Sequence, residues 1–453
     1  MTRDAMPLQH TGADAIDVTE LIDSRRLGVF QIRVVALCAS VVLIDGFDVQ
    51  AITYAAPVLT GVLGIERAML GPVFSAGLFG LTLGAFGFGL LADRLGRKTT
   101  FVACAVLFGL CTLATATVGS VTELLAWRFV AGLALGGATP IAVALSSEYC
   151  PKSSRETLVM IMYGGFSVGA AGGGFLSAWL IPAFGWRSVF VLGGIVPLAI
   201  VPLLLMALPE SIRFLVARNT GHDRVAAIVR RLAPGCPANR DTRFLVGEEN
   251  PAGFPVRHLF SGGRARRTAL LWLMFFANLI ALYFLINWFP TLIHAAGLPL
   301  QQAVIASALI QIGSIAGMLL LAAAMRRVPA FVLLALGFLL GALSFAGLAW
   351  FGTTLTGVMA GAFVAGFFVI GTQTGANAVS AMLYPTSIRS TGIGWAIGIG
   401  RAGSILGPLI GGVLLSLHWS TASLFLIAAV PAAVAAVAAL AIARLLDRAA
   451  AAP

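Results

Sequence analysis

The sequence MLGPVFSAGLFGLTLGAFGFGLLADRLGRK occupies residues 69–98, where 24 uncharged residues (69–92) are followed by Asp93, Arg94 and Arg97. A helix of about 20 apolar residues spans the hydrocarbon core of a bilayer, so 69–92 is predicted to cross a membrane. The whole chain has this character, because 59% of its 453 residues are apolar and 10% are charged. Soluble proteins are about 25% charged. The composition therefore excludes soluble, disordered and disulfide-rich secreted proteins and predicts a polytopic helical membrane protein.

Long apolar runs divide the chain into two halves of six. They lie at about 30–57, 69–92, 100–119, 124–147, 157–181 and 187–208, and then at 268–294, 302–325, 329–350, 355–383, 391–416 and 421–445. This pattern predicts an all-α fold of twelve membrane-spanning helices. The expected parts are an N-terminal tail (1–27), a six-helix bundle (28–208), an inter-bundle loop (209–267), a second six-helix bundle (268–446) and a C-terminal tail (447–453).

Positive charge indicates on which side of the membrane each loop lies. The chain has 29 Lys and Arg against 18 Asp and Glu, and the basic residues concentrate in alternate loops and in 209–267. Cytosolic loops collect Lys and Arg, so both termini and this loop are predicted to be cytosolic. We recognise no cleavable signal peptide in 1–27. The positive charge is thus a topology signal and not a nucleic-acid surface. Since no Cys or His residues have metal-ligand spacing, neither a metal nor a cofactor is expected.

The two halves resemble each other at an offset of 234, at which Gly132 maps onto Gly366 and Gly173 onto Gly407. Each half has an even number of spans, so the repeats are predicted to be parallel and related by an axis along the membrane normal. Transporters built from such repeats bind their substrate near the midplane, between the halves.

Charged motifs lie where spans 2, 4 and 6 end on the cytosolic side. We interpret them as a charge latch that holds this side shut and separates when the halves rock. The alternative is that these charges only set topology and solvate the loops. Ala323 and Met382 stand where Asp93 and Glu148 would map in the second half, so the latch is expected mainly in the first. The candidate gating residues are Asp93, Arg94, Gly96, Arg97, Glu148, Arg155, Glu210 and Arg389, with Arg213 as a further cation.

Span 1 contains Asp45 and Asp48, and two side chains three residues apart share one face of a helix. An acid inside a membrane span generally faces a cavity and marks an ion or proton route. Burial favours the neutral form of a carboxyl group, so both residues are candidates for reversible proton binding. The alternative is a structural pair that is bonded to neighbouring helices. Arg128, near the outer start of span 4, either takes part in proton transfer or extends to the membrane interface.

Arg401 lies ten residues after the predicted start of span 11 at 391, and therefore near mid-depth. A guanidinium at that depth needs an anion, and it binds a carboxylate through two parallel hydrogen bonds. The anion is either the substrate or, in a permanent ion pair, Asp45 or Asp48. Arg401 and Asp45 are therefore both candidate substrate-binding residues.

Aromatic side chains in the spans are candidates for the wall of an aromatic-ring pocket. They are Tyr54, Trp288 and Trp395, together with Tyr163 and Tyr283. The alternative for each is a lipid-facing or interfacial position. The glycines of spans 5 and 11 are expected to allow close helix packing.

Three of the motifs together resemble the cytosolic signature of the major facilitator superfamily. They are Gly89-Leu90-Leu91-Ala92-Asp93-Arg94-Leu95-Gly96-Arg97-Lys98, Glu148-Tyr149-Cys150-Pro151-Lys152-Ser153-Ser154-Arg155 and Pro209-Glu210-Ser211-Ile212-Arg213. Within the superfamily, Asp45-Gly46-Phe47-Asp48 and the stretch from Tyr384-Pro385-Thr386 to Arg401 are similar to the aromatic acid:proton symporter family. Members of that family bring benzoate-type acids into bacteria together with protons. The resemblance implies that Asp45 and Asp48 are essential for transport and that Arg401 is a functional polar site.

The sequence therefore predicts a secondary transporter that carries an aromatic carboxylate, of benzoate or hydroxybenzoate type, in symport with protons by alternating access. We expect it to be monomeric. Transport of another organic acid, nicotinate-like or aliphatic, is the main alternative. A drug/proton antiporter is less favoured, because span 5 has no Gly-Pro motif. An enzyme is not expected, since no nucleophile–base or metal constellation is recognised. A transport-dead sensor would be expected to lose the span-1 acids or Arg401.

Overall fold

The computed structural model describes residues 15–233, 242–246, 256–261, 263–352, 354–385 and 388–450. Among them are twelve helices long and apolar enough to cross a membrane, which confirms the predicted fold class. The helices are α1 (Val18–Asp23), α2 (Val29–Leu63), α3 (Leu70–Leu95), α4 (Arg97–Thr115), α5 (Val121–Tyr149), α6 (Lys152–Phe184), α7 (Arg187–Ala207), α8 (Ile212–Ala217), α9 (His222–Leu232), α10 (Ala265–Ala295), α11 (Leu300–Ala324), α12 (Ala330–Phe351), α13 (Leu355–Ala365), α14 (Gly371–Ser380), α15 (Arg389–Ser416) and α16 (Thr421–Ala450). A π-helical turn, Gly366–Ile370, joins α13 to α14 in one span.

The spans form two bundles, which we call the N bundle (α2–α7) and the C bundle (α10–α16). Successive spans run in opposite directions, so the molecule has two faces. The tail face is the side on which α2 and α10 begin, and it also carries α1, α8 and α9. The far face is the side on which α2 and α10 end, at Leu63 and Ala295.

Glycine contacts show that the two bundles are repeats of one arrangement. Gly132 of α5 packs directly against the backbone of Gly77 in α3, and Gly366 packs in the same way against Ile310 in α11. The glycines are 234 residues apart, and their partners are 233 apart. Small residues allow two helix backbones to approach this closely. The parallel repeat predicted from the sequence is therefore present in the packing.

The bundles meet near the far face. One buried apolar cluster takes Tyr54 and Phe74 from the N bundle and Trp288 and Phe289 from the C bundle. The large clusters nearer the tail face each draw on a single bundle. Within the part of the chain that the structure describes, no buried apolar cluster joins the bundles at that end. The space between the bundles is therefore closed at the far face and open at the tail face.

Two contacts illustrate the closure at the far face. The Ser75 hydroxyl of α3 donates to the carbonyl oxygen of Ile405 in α15 at 2.8 Å. The rings of Phe74 and Trp288 meet edge to face, with centroids 5.5 Å apart. The hydrogen bond and the edge-to-face ring contact each have a preferred geometry, and together they hold the two bundles in register.

The predicted tails and loop contain more structure than expected. The strands β1 (Ala15–Asp17) and β2 (Arg243–Leu245) pair in parallel, so the fold is not purely α-helical. Asp17 caps α1 by accepting from the backbone N–H of Thr19 at 2.7 Å. The apolar side of α9 is buried on the N bundle. Residues 1–14 and 451–453 of the predicted tails lie outside the described residues, as do parts of the loop.

The second bundle begins slightly earlier than the sequence suggested. Helix α10 starts at Ala265, although Arg266 and Arg267 follow at once. The guanidinium of Arg267 donates to the carbonyl oxygen of Leu445 at the end of α16. This bond gives the charged first turn a partner and extends the helix beyond the apolar run.

The crossing of α2 and α6 gives a matched test of glycine packing. A Cβ at Gly169 would collide with the carbonyl oxygen of Leu43, whereas a Cβ at Gly172 would meet no atom within 4 Å. Overpacking costs about 1–3 kcal/mol, while alanine in a free helix position gains up to about 1 kcal/mol over glycine. We expect Gly169→Ala to lower the melting temperature in detergent and Gly172→Ala to leave it unchanged or raise it. Equal effects of the two substitutions would contradict the close crossing.

Candidate functional site

Helix α2 carries both span-1 aspartates into the interior of the protein. Gly46, between them, packs directly against the backbone of Phe166 in α6. This close approach is possible only for a residue without a side chain, and it holds α2 deep in the bundle. Asp45 is 4% exposed and Asp48 is fully buried.

Asp48 is neutralised inside the N bundle. Its carboxylate accepts from the guanidinium of Arg128 in α5 at 3.0 Å and from the hydroxyl of Thr112 in α4 at 3.1 Å. A second Arg128 nitrogen lies 3.5 Å from the Asp48 carbonyl oxygen. Because Arg128 is buried in this pair, its side chain does not extend to the membrane interface. The arrangement is a buried ion pair with hydrogen bonds on both partners.

Asp45 has a different environment. One carboxylate oxygen accepts from the hydroxyl of Thr139 at 2.7 Å. The other, Oδ1, is buried and has no hydrogen-bond partner among the described residues. No cation of the described chain lies within ion-pair distance of Asp45, although Arg401 of α15 is within electrostatic range. An isolated carboxylate in an apolar interior is costly, so this position favours the uptake of a proton or of a cationic partner.

Arg401 lies across the space between the bundles from Asp45. Its guanidinium makes no hydrogen bond and no ion pair with any residue that the structure describes, and its side chain is half-buried. Tyr163 of α6 is within electrostatic range of both Arg401 and Asp45. Its side chain is 49% exposed. The predicted permanent ion pair of Arg401 with an aspartate is therefore not formed in this state.

The predicted aromatic residues do not come together in one pocket. The Tyr54 hydroxyl donates to the carbonyl oxygen of Ala170 at 2.9 Å, and the Trp288 indole donates to that of Pro408 at 3.0 Å. Both are buried in the contact near the far face. Trp395 is 43% exposed and stacks on Trp272 with ring centroids 5.8 Å apart.

The remaining aromatic candidate, Tyr283, is half-buried, and its carbonyl oxygen accepts from Asn287 at 2.7 Å. Tyr163, by contrast, is within electrostatic range of Arg401.

The predicted gating residues other than Arg389 lie on the tail side of the N bundle. Arg97 and Glu148 are in direct contact as an ion pair. The Ser211 hydroxyl, just before α8, donates to the same carboxylate at 2.5 Å. The latch hypothesis expects such ion pairs to separate when the tail side opens. In this structure the tail face is open, yet Arg97 and Glu148 remain paired.

Glu210 receives backbone hydrogen bonds at two helix starts. Its carboxylate accepts from the N–H of Lys98 at 2.9 Å and from that of Ser211 at 2.9 Å. Gly96 precedes α4 with φ of 101°, and a Cβ there would lie 2.5 Å from the Glu210 carboxylate. Glycine is thus required at this position for both its backbone conformation and its size.

The other gating candidates have separate partners. Arg218 donates to the carbonyl oxygens of Asp93 and Arg94 at 3.4 and 3.2 Å, and Arg155 pairs with Asp23 at 3.2 Å.

Asp93, Arg97, Arg213 and Arg218 line a pocket of about 250 Å³. Arg389 is exposed and has no hydrogen bond or ion pair with a described residue. The cluster therefore braces one bundle and does not bridge the two.

Sequence reasoning missed a polar group in the C bundle, which we call the amide chain. The Asn278 amide of α10 donates to Gln373 Oε1 at 2.8 Å, and the Gln373 amide donates to Asn377 Oδ1 at 3.1 Å. The available signal was the presence of three amide side chains within apolar spans. Their mutual contact was not predictable, because 95 residues separate Asn278 from Gln373.

Comparisons with known proteins agree on a membrane transporter. A family model described as Major Facilitator Superfamily matches residues 38–372. The chain is 42% identical to the 4-hydroxybenzoate transporter PcaK of Pseudomonas aeruginosa, over 93% of this chain and 94% of that protein. It is 41% identical to the gallate transporter of Pseudomonas putida, over 94% and 95% of the two chains.

Among solved structures, the fold is similar to that of a bacterial homolog of the human lysosomal transporter Spinster in an inward-facing and occupied conformation. The TM-score is 0.71 at 15% sequence identity, over 92% of this chain and 98% of that one.

The Asp48–Arg128 pair predicts a specific pattern of stability. Arg128→Met leaves the Asp48 carboxylate buried without its cation, and removal of one partner of a buried pair costs about 3–5 kcal/mol. We expect the combined variant Asp48→Asn with Arg128→Met to recover most of that loss in unfolding experiments in detergent. Arg67→Met, at an exposed arginine of the far face, serves as the control and should have little effect. A double variant that is no more stable than Arg128→Met would show that the two side chains are not energetically coupled.

Proposed function

The chain belongs to the major facilitator superfamily, and we propose that it takes up an aromatic carboxylate together with protons by alternating access. The observation that carries this proposal is the guanidinium of Arg401. It stands without a protein partner in the inter-bundle space, within electrostatic range of Asp45.

The substrate class is supported by the chemistry of Arg401 and by the named relatives. A guanidinium binds a carboxylate through two parallel hydrogen bonds, and at this depth an unpaired one favours an anion strongly. Tyr163 adds an aromatic surface and a hydroxyl beside it. The relatives at about 40% identity are named as transporters of gallate and 4-hydroxybenzoate, both aromatic carboxylates. A substrate of this kind places its carboxylate on Arg401 and its ring against Tyr163.

The two aspartates have different roles in this proposal. Asp48 is already compensated by Arg128, so its charge is fixed within the N bundle. Asp45 has one unbonded carboxylate oxygen and no cation in contact, so it binds and releases the transported proton. When Asp45 is protonated, Arg401 loses its nearby negative charge and is free for the substrate. Proton and substrate then enter the closed state together, as symport requires.

The orientation follows from the distribution of basic residues. The tail face carries α9 with its arginines and the inter-bundle loop, and such positive segments remain in the cytosol. We therefore place both termini in the cytosol and the protein in the bacterial inner membrane. The structure then corresponds to an inward-open state, in which the contacts near the far face close the outer side. Uptake requires those contacts to separate and the tail side to close.

Electrostatics explains why a proton must accompany the anion. Moving one negative charge into a cell with a negative interior costs about 2.3 kcal/mol per 100 mV. One co-transported proton cancels this charge and leaves the pH gradient, worth about 1.4 kcal/mol per pH unit, as the driving force. With a second co-transported proton, one net positive charge would enter the cell, so the membrane potential would also drive uptake. Asp45 is the one span-1 acid without a cationic partner, and this favours one proton per substrate anion.

The charge cluster around Arg97 and Glu148 acts as a brace in this cycle. Its members join the start of α4 and the end of α5 to Ser211, just before α8, so the N bundle and α8 rock together as a rigid body. Asp93 and Arg389 are predicted to help close the tail side. This prediction concerns the outward-open state, in which the tail-side ends of the N and C bundles approach each other.

Substitution of Asp45 tests the proton role. We expect Asp45→Asn to abolish accumulation of 4-hydroxybenzoate driven by a pH gradient, because the amide cannot take up and release a proton. Exchange of labelled for unlabelled substrate across vesicles should persist, since Arg401 is unchanged. Glu66→Gln, at an exposed carboxylate of the far face, is the control and should accumulate normally. If Asp45→Asn still concentrates substrate under a pH gradient, Asp45 does not carry the proton.

A cross-link at the far face tests alternating access. The Ser75 hydroxyl contacts the backbone of Ile405 across the bundles, so the paired variant Ser75→Cys with Ile405→Cys is expected to be bridged through two disulfides by a short bis-methanethiosulfonate reagent. This bridge would hold the outer side closed and stop uptake, and a reductant would restore it. Each single cysteine variant should transport under both conditions. Full uptake by the cross-linked protein would show that this contact does not open during transport.

A further inference from the structure

The hydroxyl of Thr139 in α5 is the one hydrogen-bond donor that the described chain gives to the Asp45 carboxylate. It donates to Asp45 Oδ2 at 2.7 Å, whereas Oδ1 is buried and has no partner among the described residues. A hydrogen bond to a carboxylate is charge-assisted and therefore strong. Because it is made to the charged form, this bond favours ionised Asp45 over protonated Asp45. Thr139 thus opposes the effect of burial on this acid.

Thr139 uses a different acceptor from several other threonines of the spans. Thr82 of α3 donates to the carbonyl oxygen of Leu78 at 2.9 Å. Thr115 of α4 donates to that of Cys111, also at 2.9 Å. These are the local bonds, three or four residues back along the chain, that a threonine ordinarily forms in a helix. Thr139 instead donates across to α2, so its hydroxyl joins two helices.

The helical turn that holds Thr139 offers a second acceptor for its hydroxyl. Pro140 lies within α5, and proline has no backbone N–H to donate. The carbonyl oxygen of Gly136, four residues before Pro140, therefore lacks its usual helical donor. Gly136 is three residues before Thr139, within the range that a threonine hydroxyl reaches in a helix. The hydroxyl thus has two alternative acceptors, the Asp45 carboxylate and the Gly136 carbonyl oxygen.

A hydroxyl group can serve both protonation states of Asp45, because it is a single donor that can also accept. When Asp45 is ionised, Thr139 donates to its carboxylate. When Asp45 is protonated, the carboxyl O–H donates to Thr139 Oγ1, and Thr139 donates to the carbonyl oxygen of Gly136. In each state every donor has one acceptor, and no donor faces another donor. The change between the two states requires the hydroxyl hydrogen of Thr139 to turn.

The charged groups around Asp45 do not depend on Thr139. The charged and titratable side chains within electrostatic range of Asp45 come from three helices and are Asp48 of α2, Tyr163 of α6 and Arg401 of α15. Asp48 is itself paired with Arg128 of α5. The remaining charged residues of the spans that pack on α2 lie towards the helix ends. A change at Thr139 therefore alters the hydrogen bond to Asp45 and leaves these charges in place.

We propose that Thr139 is a positioning residue that sets how readily Asp45 releases its proton. It acts through Asp45, since its hydroxyl stabilises the ionised carboxylate and turns to Gly136 when the proton returns. The inference rests on the proposed function, in which protonation of Asp45 leaves Arg401 free for the substrate. Without the hydroxyl, Asp45 keeps its proton to a higher pH, and Arg401 stays available to the substrate to the same higher pH.

Exchange measured at equal pH on both sides of a vesicle membrane tests this role. Vesicles that contain the purified protein exchange labelled for unlabelled 4-hydroxybenzoate at a series of pH values. We expect exchange by the unmodified protein to fall as Asp45 ionises. In Thr139→Val the pH of half-maximal exchange should be about one unit higher, as expected for the loss of one hydrogen bond to a charged group. Thr139→Ser, which keeps the hydroxyl, should retain the original midpoint. Thr82→Val removes a hydroxyl that is bonded within its own helix, and this control should also retain it.

Two further variants separate this role from a folding defect. Thr139→Ala removes the same hydroxyl with a smaller side chain and should raise the midpoint in the same way. In Asp45→Asn, exchange should not depend on pH in this range, and the addition of Thr139→Val should not change that. A midpoint that does not rise in Thr139→Val and Thr139→Ala, or that rises equally in Thr139→Ser, would overturn the inference and leave the proposed function intact. If Asp45→Asn has the same midpoint as the unmodified protein, the proton role of Asp45 in the proposed function is wrong, and this inference falls with it.

Discussion

A charged side chain at the middle of a bilayer needs an opposite charge or hydrogen bonds to offset its loss of hydration. The site is organised by which charged side chains have such a partner and which do not. Asp48 and Arg128 compensate each other within the N bundle at 3.0 Å. Asp45 and Arg401 lie on opposite bundles and are not in contact. An ion pair inside one bundle moves with that bundle, whereas two charges on different bundles change their interaction whenever the bundles move. The interaction of Asp45 with Arg401 is therefore the one whose energy depends on how the two bundles are arranged.

Glycine makes this arrangement possible. At Gly46, Gly132 and Gly366 a neighbouring backbone occupies the place of a side chain, so the helices of each bundle pack closely. The contact between bundles also includes close glycine packing, at Gly71 and Gly412, but it adds large side chains such as Phe74 and Trp288. Tight packing within bundles and a smaller contact between them are the features expected of a protein that changes shape by rigid-body motion.

Much of the fold follows from local sequence properties. Apolar runs give the twelve spans, and the repeat offset correctly pairs Gly132 with Gly366. The depth of Asp45 and Arg401 follows from their position within those runs. The partners of these residues do not follow, because Thr139 is 94 residues from Asp45 and Arg128 is 80 from Asp48. Such contacts depend on helix rotation and crossing, which hydropathy does not specify.

The aromatic residues illustrate the same limit. Trp288 and Trp395 both lie within long apolar runs of the sequence. Trp288 is nevertheless buried between the bundles, whereas Trp395 is 43% exposed. Ordered structure in the tail and loop was also missed, since strands of three residues carry too little pattern. Tyr163 was one of several aromatic candidates in the sequence. What sets it apart is its electrostatic interaction with Arg401 in the structure.

The pairing of β1 with β2 has a consequence for synthesis of the chain. Ala15 lies opposite Arg243, so the first described residues remain without their strand partner until the ribosome has made all six helices of the N bundle and the segment that follows. Closure of this small sheet can therefore occur only after that bundle has been synthesised. Because β2 precedes α10 in the chain, closure does not require any of the six spans of the C bundle to have been translated.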